Sequence, residues 1–331
     1  LLSDPSVAAS SLVQVEYSAT NDMLVFRRDP TVGSPELVLL TLSPALETVI
    51  PLPGGDGLGF IVVAPDESFV VVNTTTHLYQ VSLPGGTVTE LDSALQSASY
   101  AADITADSQT VVFSATKFDG AKRELYSVPS GGGAVHLLSP PALPSVAGGL
   151  AYELSGDSQW VAFMAATGTM DADWVFSLFV SPVRGAGSFT TVANDYHRCP
   201  FSMCSILGRL AVNDQSSKVV SLASTQPGSS QTTYNLVSAP LDGSALVTTL
   251  DNAVNSRTLS VLSDQPAAVV TSSSDLVLYD LNGGPSVNLT PALGGFSSFS
   301  LYSEQLQRVI FRNIPDSGNE AIQAVSIDGG G

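Results

Sequence analysis

Short apolar runs alternate with turn-forming clusters along the whole chain. The stretch Ala102 to Ser139 shows the pattern most clearly and predicts four short strands. Ala102-Asp103-Ile104 is the first, and Ala106-Asp107-Ser108-Gln109 turns it back. Thr110 to Ser114 is the second, rich in β-branched and aromatic residues. A polar loop with Asp119-Gly120 leads to Glu124 to Val128, the third. Gly131-Gly132-Gly133 can supply φ > 0 for a tight turn before Ala134 to Leu138, the fourth. Strands joined in this way make one twisted antiparallel sheet.

The unit recurs. Seven copies are anchored on the turn after the first strand and on the apolar second strand. They include Pro65-Asp66-Glu67 before Phe69 to Val72, Asp157-Ser158-Gln159 before Trp160 to Phe163, and Asn213-Asp214-Gln215 before Lys218 to Ser221. Ser263-Asp264-Gln265 precedes Ala267 to Val270, and Ser303-Glu304-Gln305 precedes Arg308 to Phe311. The period of roughly 40 to 57 residues is that of four-stranded propeller blades. The fold class expected is all-β: a seven-bladed β-propeller of four-stranded antiparallel blades, forming one domain over residues 1–331. The blades fall near 7–52, 57–92, 99–139, 147–193, 205–251, 256–290 and 296–331, the last completed by 1–5.

The Asp-x-Gln or Pro-Asp-x turn, the Val-Val-Phe strand, the Glu-Leu-Tyr-x-Val strand and the Gly-Gly turn resemble the PD40 or TolB-like family of WD40-like propellers. The Gly-His and Trp-Asp marks of ordinary WD40 blades are absent, and Ser43-Pro44 replaces the Gly-Gly turn in the first repeat. The resemblance implies the fold over nearly the whole chain. For function it implies protein binding by analogy only, because its motif residues form turns and pack cores.

Leu1-Leu2-Ser3-Asp4-Pro5 reads like the fourth-strand endings Leu137-Leu138-Ser139-Pro140 and Leu289-Thr290-Pro291. The last repeat ends just after its third strand. An unpaired third strand is an aggregating edge, so the amino end is expected to pair into the last blade and fasten the ring. Donation of that strand by a neighbouring subunit is the alternative and would give a polymer. Leu1 is not Met and no charged-then-apolar leader follows it, so the start reads as a processed end or a fragment boundary.

The second-to-third and fourth-to-first connections share one edge of every sheet. Several read as long: Arg28 to Pro35, Ala115 to Arg123, Ala165 to Val175, Val192 to Ile206, Ser224 to Thr233 and Asn313 to Glu320. Loops carry function more often than scaffolds. The candidate binding face is therefore drawn from Asp119, Asp171, Asp173, Trp174, Tyr196, His197 and Arg198.

Composition narrows the partners. The 331 residues carry 12 basic and 30 acidic side chains, a net charge of −18. That repels nucleic-acid backbones, and no basic patch is present to release counterions. No run approaches the ~18 apolar residues of a membrane helix. Scarce lysine with abundant Ser and Thr suits a secreted setting.

Cys199 and Cys204 are the two cysteines, read as a loop pair between blades four and five. A disulfide between them would close a small ring, worth roughly 2 kcal/mol, and imply an oxidising compartment. Two free thiols, or metal binding with His197, remain open. Met170-Asp171-Ala172-Asp173-Trp174 could bind calcium or stack a sugar, but lacks the Gly and distal Glu of a calcium hand. His77 and His136 fall in predicted strands and read as packing or surface-exposed residues. No Gly-x-Ser-x-Gly elbow appears, and Gly54 to Gly59 lacks the Lys-Ser/Thr of a phosphate loop.

The function expected is a non-enzymatic, extracytoplasmic interaction or scaffold module (secreted, cell-surface or periplasmic) for a protein or glycan, with no cofactor. One alternative is a structural subunit of an extracellular assembly that exchanges strands. Another is a lyase or hydrolase at the channel mouth.

Overall fold

The computed structural model describes residues 11–29, 33–53, 57–93, 95, 99–116, 123–140, 151–166, 173–185, 187–200, 210–215, 217–223, 234–254, 259–272, 275–290, 295–315 and 321–328. Every element among them is a strand. Seven antiparallel sheets result, each with its strands in chain order.

Sheet 1 holds β1 (Ser11–Ser18), β2 (Met23–Asp29), β3 (Glu36–Leu42) and β4 (Ala45–Ile50). Sheet 2 holds β5 (Leu58–Val63), β6 (Phe69–Thr74), β7 (Leu78–Ser82) and β8 (Val88–Glu90). Sheet 3 holds β9 (Ser99–Ile104), β10 (Thr110–Thr116), β11 (Arg123–Pro129) and β12 (His136–Leu137). Sheet 4 holds β13 (Ala151–Leu154), β14 (Trp160–Ala166), β15 (Asp173–Pro182) and β16 (Thr190–Pro200). Sheet 5 holds β17 (Leu210–Asn213), β18 (Lys218–Ala223), β19 (Tyr234–Pro240) and β20 (Thr248–Val254). Sheet 6 holds β21 (Leu259–Val261), β22 (Ala267–Ser272), β23 (Asp275–Asp280) and β24 (Val287–Asn288). Sheet 7 has three strands among the described residues: β25 (Gly295–Ser303), β26 (Arg308–Pro315) and β27 (Ala321–Ser326). Leu1–Pro5, expected to complete it, lies outside the described residues.

The chain forms two compact units, Leu1–Ala142 with Val183–Gly187, and Leu143–Pro182 with Ser188–Gly331. In the first, β1, β5 and β9 adjoin in succession. In the second, β13, β17, β21 and β25 do. Sheets therefore stack face to face within each unit, as propeller blades do.

This stacking explains why the second strands are almost wholly apolar. A strand covered on both faces cannot afford the polar half of an alternating pattern. In β6, Val70 and Val72 pack toward sheet 1, while Phe69 and Val71 pack toward sheet 3. In β18, Val219 and Ala223 join the layer shared with sheet 4, and Val220 and Leu222 the layer shared with sheet 6. Outer strands face solvent and read differently; β4 exposes Leu46 and Val49.

The turns after the first strands are more than chain reversals. Glu67, Ser108, Ser158, Ser217 and Gln307 each take positive φ there, and several turns bond to the next blade's turn. Ser18 Oγ donates to Glu67 (2.9 Å), and the Asp66 N–H donates to Ser108 Oγ (3.0 Å). The Gly156 N–H donates to Asp214 (2.6 Å). Asn213, fully buried, donates from Nδ2 to the carbonyls of Leu262 and Gln265, both at 2.8 Å. Gln307 donates to Asp264 (2.6 Å).

Parts of two expected loops are strand. β15 begins at Asp173 and β16 runs to Pro200, so Asp173-Trp174 and His197 to Cys199 are paired backbone, with Tyr196 in the same strand. Asp173 stands opposite Pro200, Trp174 opposite Cys199, Val175 opposite Arg198 and Phe176 opposite His197. The polar run through Asn194 to Arg198 gives no strand signal of its own. The apolar start of β15 offers it a ladder, and backbone pairing is indifferent to side-chain polarity. Register shifts between Phe176 and Phe179 absorb the mismatch.

Candidate functional site

The edge carrying the second-to-third and fourth-to-first connections holds a concave site. It is a cleft of about 300 Å³ in the first unit, between sheets 1 and 2. Pro35 and Leu37 at the start of β3 form one wall, and Val49, Pro51 and Leu52 after β4 continue it. Leu58 and Thr74 close the side of sheet 2. Ile50 and Leu58 are core residues whose surfaces reach the cleft, while Val49 is 42% exposed.

Glu36 is the ionisable residue among the described lining residues, and it is already engaged. Arg28, with a side chain only 8% exposed, donates from Nε and Nη2 to Glu36 Oε2 at 2.9 and 2.7 Å. Its Nη1 reaches Glu47 at 2.5 Å. Burial pulls the guanidinium pKa down, but the two carboxylates outweigh it and hold it above its ordinary value. One guanidinium thus serves two carboxylates, which leaves the group with a net negative charge, and most of the cleft's other lining residues are apolar. The cleft offers a surface to bind against.

Thr74 joins this cleft to a second feature on the same edge. Its Oγ1 accepts from the His77 N–H (3.1 Å), and its own N–H donates to the His77 carbonyl (2.8 Å). The clamp holds His77 just before β7, in the turn and not in the strand where the sequence places it. His77 Nδ1 there lies 3.3 Å from Glu90 Oε1 and 3.5 Å from Asp92 Oδ1. These three residues are the group of metal-ligand types found close together among the described residues. Tyr79 sits beside them, its phenol donating to the Pro53 carbonyl (3.0 Å). Burial first, and then the charges of Glu90 and Asp92, push that phenol above its usual pKa.

Of the residues singled out in the sequence, Asp119, Asp171 and Cys204 lie outside the described residues. Trp174 and Cys199 are brought opposite one another, as are Asp173 and Pro200. Tyr196, His197 and Arg198 follow along the same strand. His136 is in β12 as expected. Sequence reasoning missed both the cleft and the His77 group. A signal did exist: aligning the third and fourth strands of the repeats shows where sheet 2 departs from its siblings.

No protein-family model matches the chain, and no curated protein does. Solved structures do match. Dipeptidyl peptidase 4 of Porphyromonas gingivalis superposes with a TM-score of 0.65 at 10% identity, over 99% of this chain and 53% of that one. A prolyl endopeptidase gives 0.52 at 12% identity, over 96% and 50%. The β-propeller domain of the Trilobed protease from Pyrococcus furiosus gives 0.48 at 9% identity, over 96% and 95%. This chain therefore spans about half the length of the two peptidases. At 10–12% identity the likeness to the two peptidases shows the fold alone, and agrees with the stacked antiparallel sheets described above.

Proposed function

We propose that this chain is a non-enzymatic β-propeller interaction module that receives a protein segment in the cleft between sheets 1 and 2. One observation carries the reading. The cleft is walled mostly by apolar side chains, and its ionisable group, Glu36, is engaged in an ion pair with Arg28. Such a site rewards burial of an apolar side chain at about 25 cal/mol per Å² and supplies no general acid or base. A lyase or hydrolase would need the reverse, a convergence of free titratable groups.

The net charge of −18 favours a partner with a basic rim around its apolar contact. An extracytoplasmic setting fits this reading, on the strength of the closely spaced Cys199 and Cys204 and the scarcity of lysine. The test is affinity capture from the native source with wild type, Val49→Asp and Leu246→Asp. Leu246 is an exposed apolar residue of the second unit and does not line the cleft. The expected result is a protein retained by wild type and Leu246→Asp and lost with Val49→Asp. Identical capture by all three overturns the cleft as the binding site.

A further inference from the structure

We propose that His77, Glu90 and Asp92 form a binding site for a divalent transition-metal ion, zinc being the best fit. The ion would tie the β6–β7 turn to the end of β8. The proposal stands apart from the interaction reading and does not depend on it.

The donor geometry comes first. Nδ1 of His77 is buried and has no hydrogen-bond partner, yet it faces two carboxylate oxygens at 3.3 and 3.5 Å. All three ligand atoms lie within 4.8 Å of one another. A tetrahedral ion about 2.0–2.1 Å from each donor holds neighbouring donors about 3.3–3.4 Å apart. The His77 contacts already have that spacing. An imidazole nitrogen with two carboxylates suits zinc better than calcium or magnesium, which prefer all-oxygen shells. The two carboxylate charges balance a divalent cation. Three protein donors leave a fourth position for water.

The repeat supplies an internal comparison. In sheet 2 the Leu78 N–H donates to Asp92 Oδ1 (3.0 Å). In sheet 3 the Leu125 N–H donates to Ser139 Oγ (3.1 Å). In sheet 6 the Leu276 N–H donates to Thr290 Oγ1 (2.7 Å). All three are the same interaction, across the same sequence separation of 14. The scaffold therefore asks only for a side-chain oxygen here, and a hydroxyl serves. A fully buried carboxylate exceeds that need. The residue before each donor is His77, Glu124 or Asp275. The residue two before each acceptor is Glu90, Leu137 or Asn288. Sheet 6 fills its pair with an ordinary hydrogen bond, Asn288 Nδ2 donating to Asp275 (2.9 Å). Sheet 3 has an apolar leucine in the second place. Of these three sheets, sheet 2 alone places ligand-type side chains at all three positions, on a backbone that Thr74 has already fixed.

The comparison also provides the variant that separates metal binding from folding. Asp92→Ser installs the residue that sheet 3 uses, so it keeps the bond to the Leu78 N–H while removing the ligand. Chelator-treated full chain is titrated with zinc, and separately with manganese and calcium, by calorimetry and by thermal melting. Wild type is expected to bind one zinc per chain with a raised melting midpoint, and to bind calcium more weakly. Asp92→Ser should melt as metal-free wild type does and show no zinc-induced shift. His77→Ala should likewise lose the shift. Glu90→Gln should weaken binding by at least about tenfold, and His136→Ala should leave it unchanged. The proposal is overturned if wild type shows no saturable zinc binding. It is equally overturned if Asp92→Ser, still folded, binds zinc as wild type does.

Discussion

Asn213 shows how much a single turn residue does in this protein. Its sequence context, Asn213-Asp214-Gln215, marks a chain reversal and nothing more. In the structure its side chain is buried and donates to two carbonyls of the next blade. Those acceptors lie 49 and 52 residues downstream, so no local pattern announces them. Asn213→Ala strands buried carbonyls and is expected to cost about 1–3 kcal/mol, read as a lower denaturant midpoint at unchanged slope. Asn213→Asp should be at least as damaging, because a carboxylate cannot donate. A midpoint unmoved by both would mean that the blades hold together without these bonds. The His77 group likewise has no local signal and stands out only when the repeats are aligned. His77 looks like a strand residue, and Glu90 and Asp92 reach it only when β7 and β8 pair.

Strands were legible where the chain is covered on both faces. The continuous apolar runs of β6, β10 and β18 announce themselves, and their turns follow from Asp, Gly and Asn chemistry. The β15–β16 hairpin was not legible at its far end, where a polar segment is strand only because its neighbour is. Turns between third and fourth strands differ in how tightly they are held. Gly243, at φ +68°, would place a Cβ 2.7 Å from Thr190 Cβ, whereas Gly283, at φ +90°, has open space around it. Alanine at either position takes on left-handed strain of about 1–2 kcal/mol. Gly243→Ala must in addition displace the start of β16. Thermal melting of the two variants should therefore rank Gly243→Ala as clearly the less stable. Equal losses would mean that the approach to Thr190 relaxes freely.

At the scale of the molecule, seven repeats gave seven sheets, because repetition survives even when individual strands are misread. Function did not follow from repetition. The two sites proposed here lie where repeats differ, at one edge of the first unit: the cleft beside Arg28 and Glu36, and the His77 group that shares Thr74 with it. Peptidases with similar sheets are about twice as long as this chain, so their chemistry does not transfer with the fold. The claim that rests on this edge is that the cleft is a protein-docking surface. The most direct test places a photoreactive side chain at Val49, and as a control at Leu246, and irradiates each in extract of the native source. Cross-linking of one discrete protein species at position 49 and not at 246 is the predicted result. No adduct at position 49, or the same adducts at both positions, would contradict it.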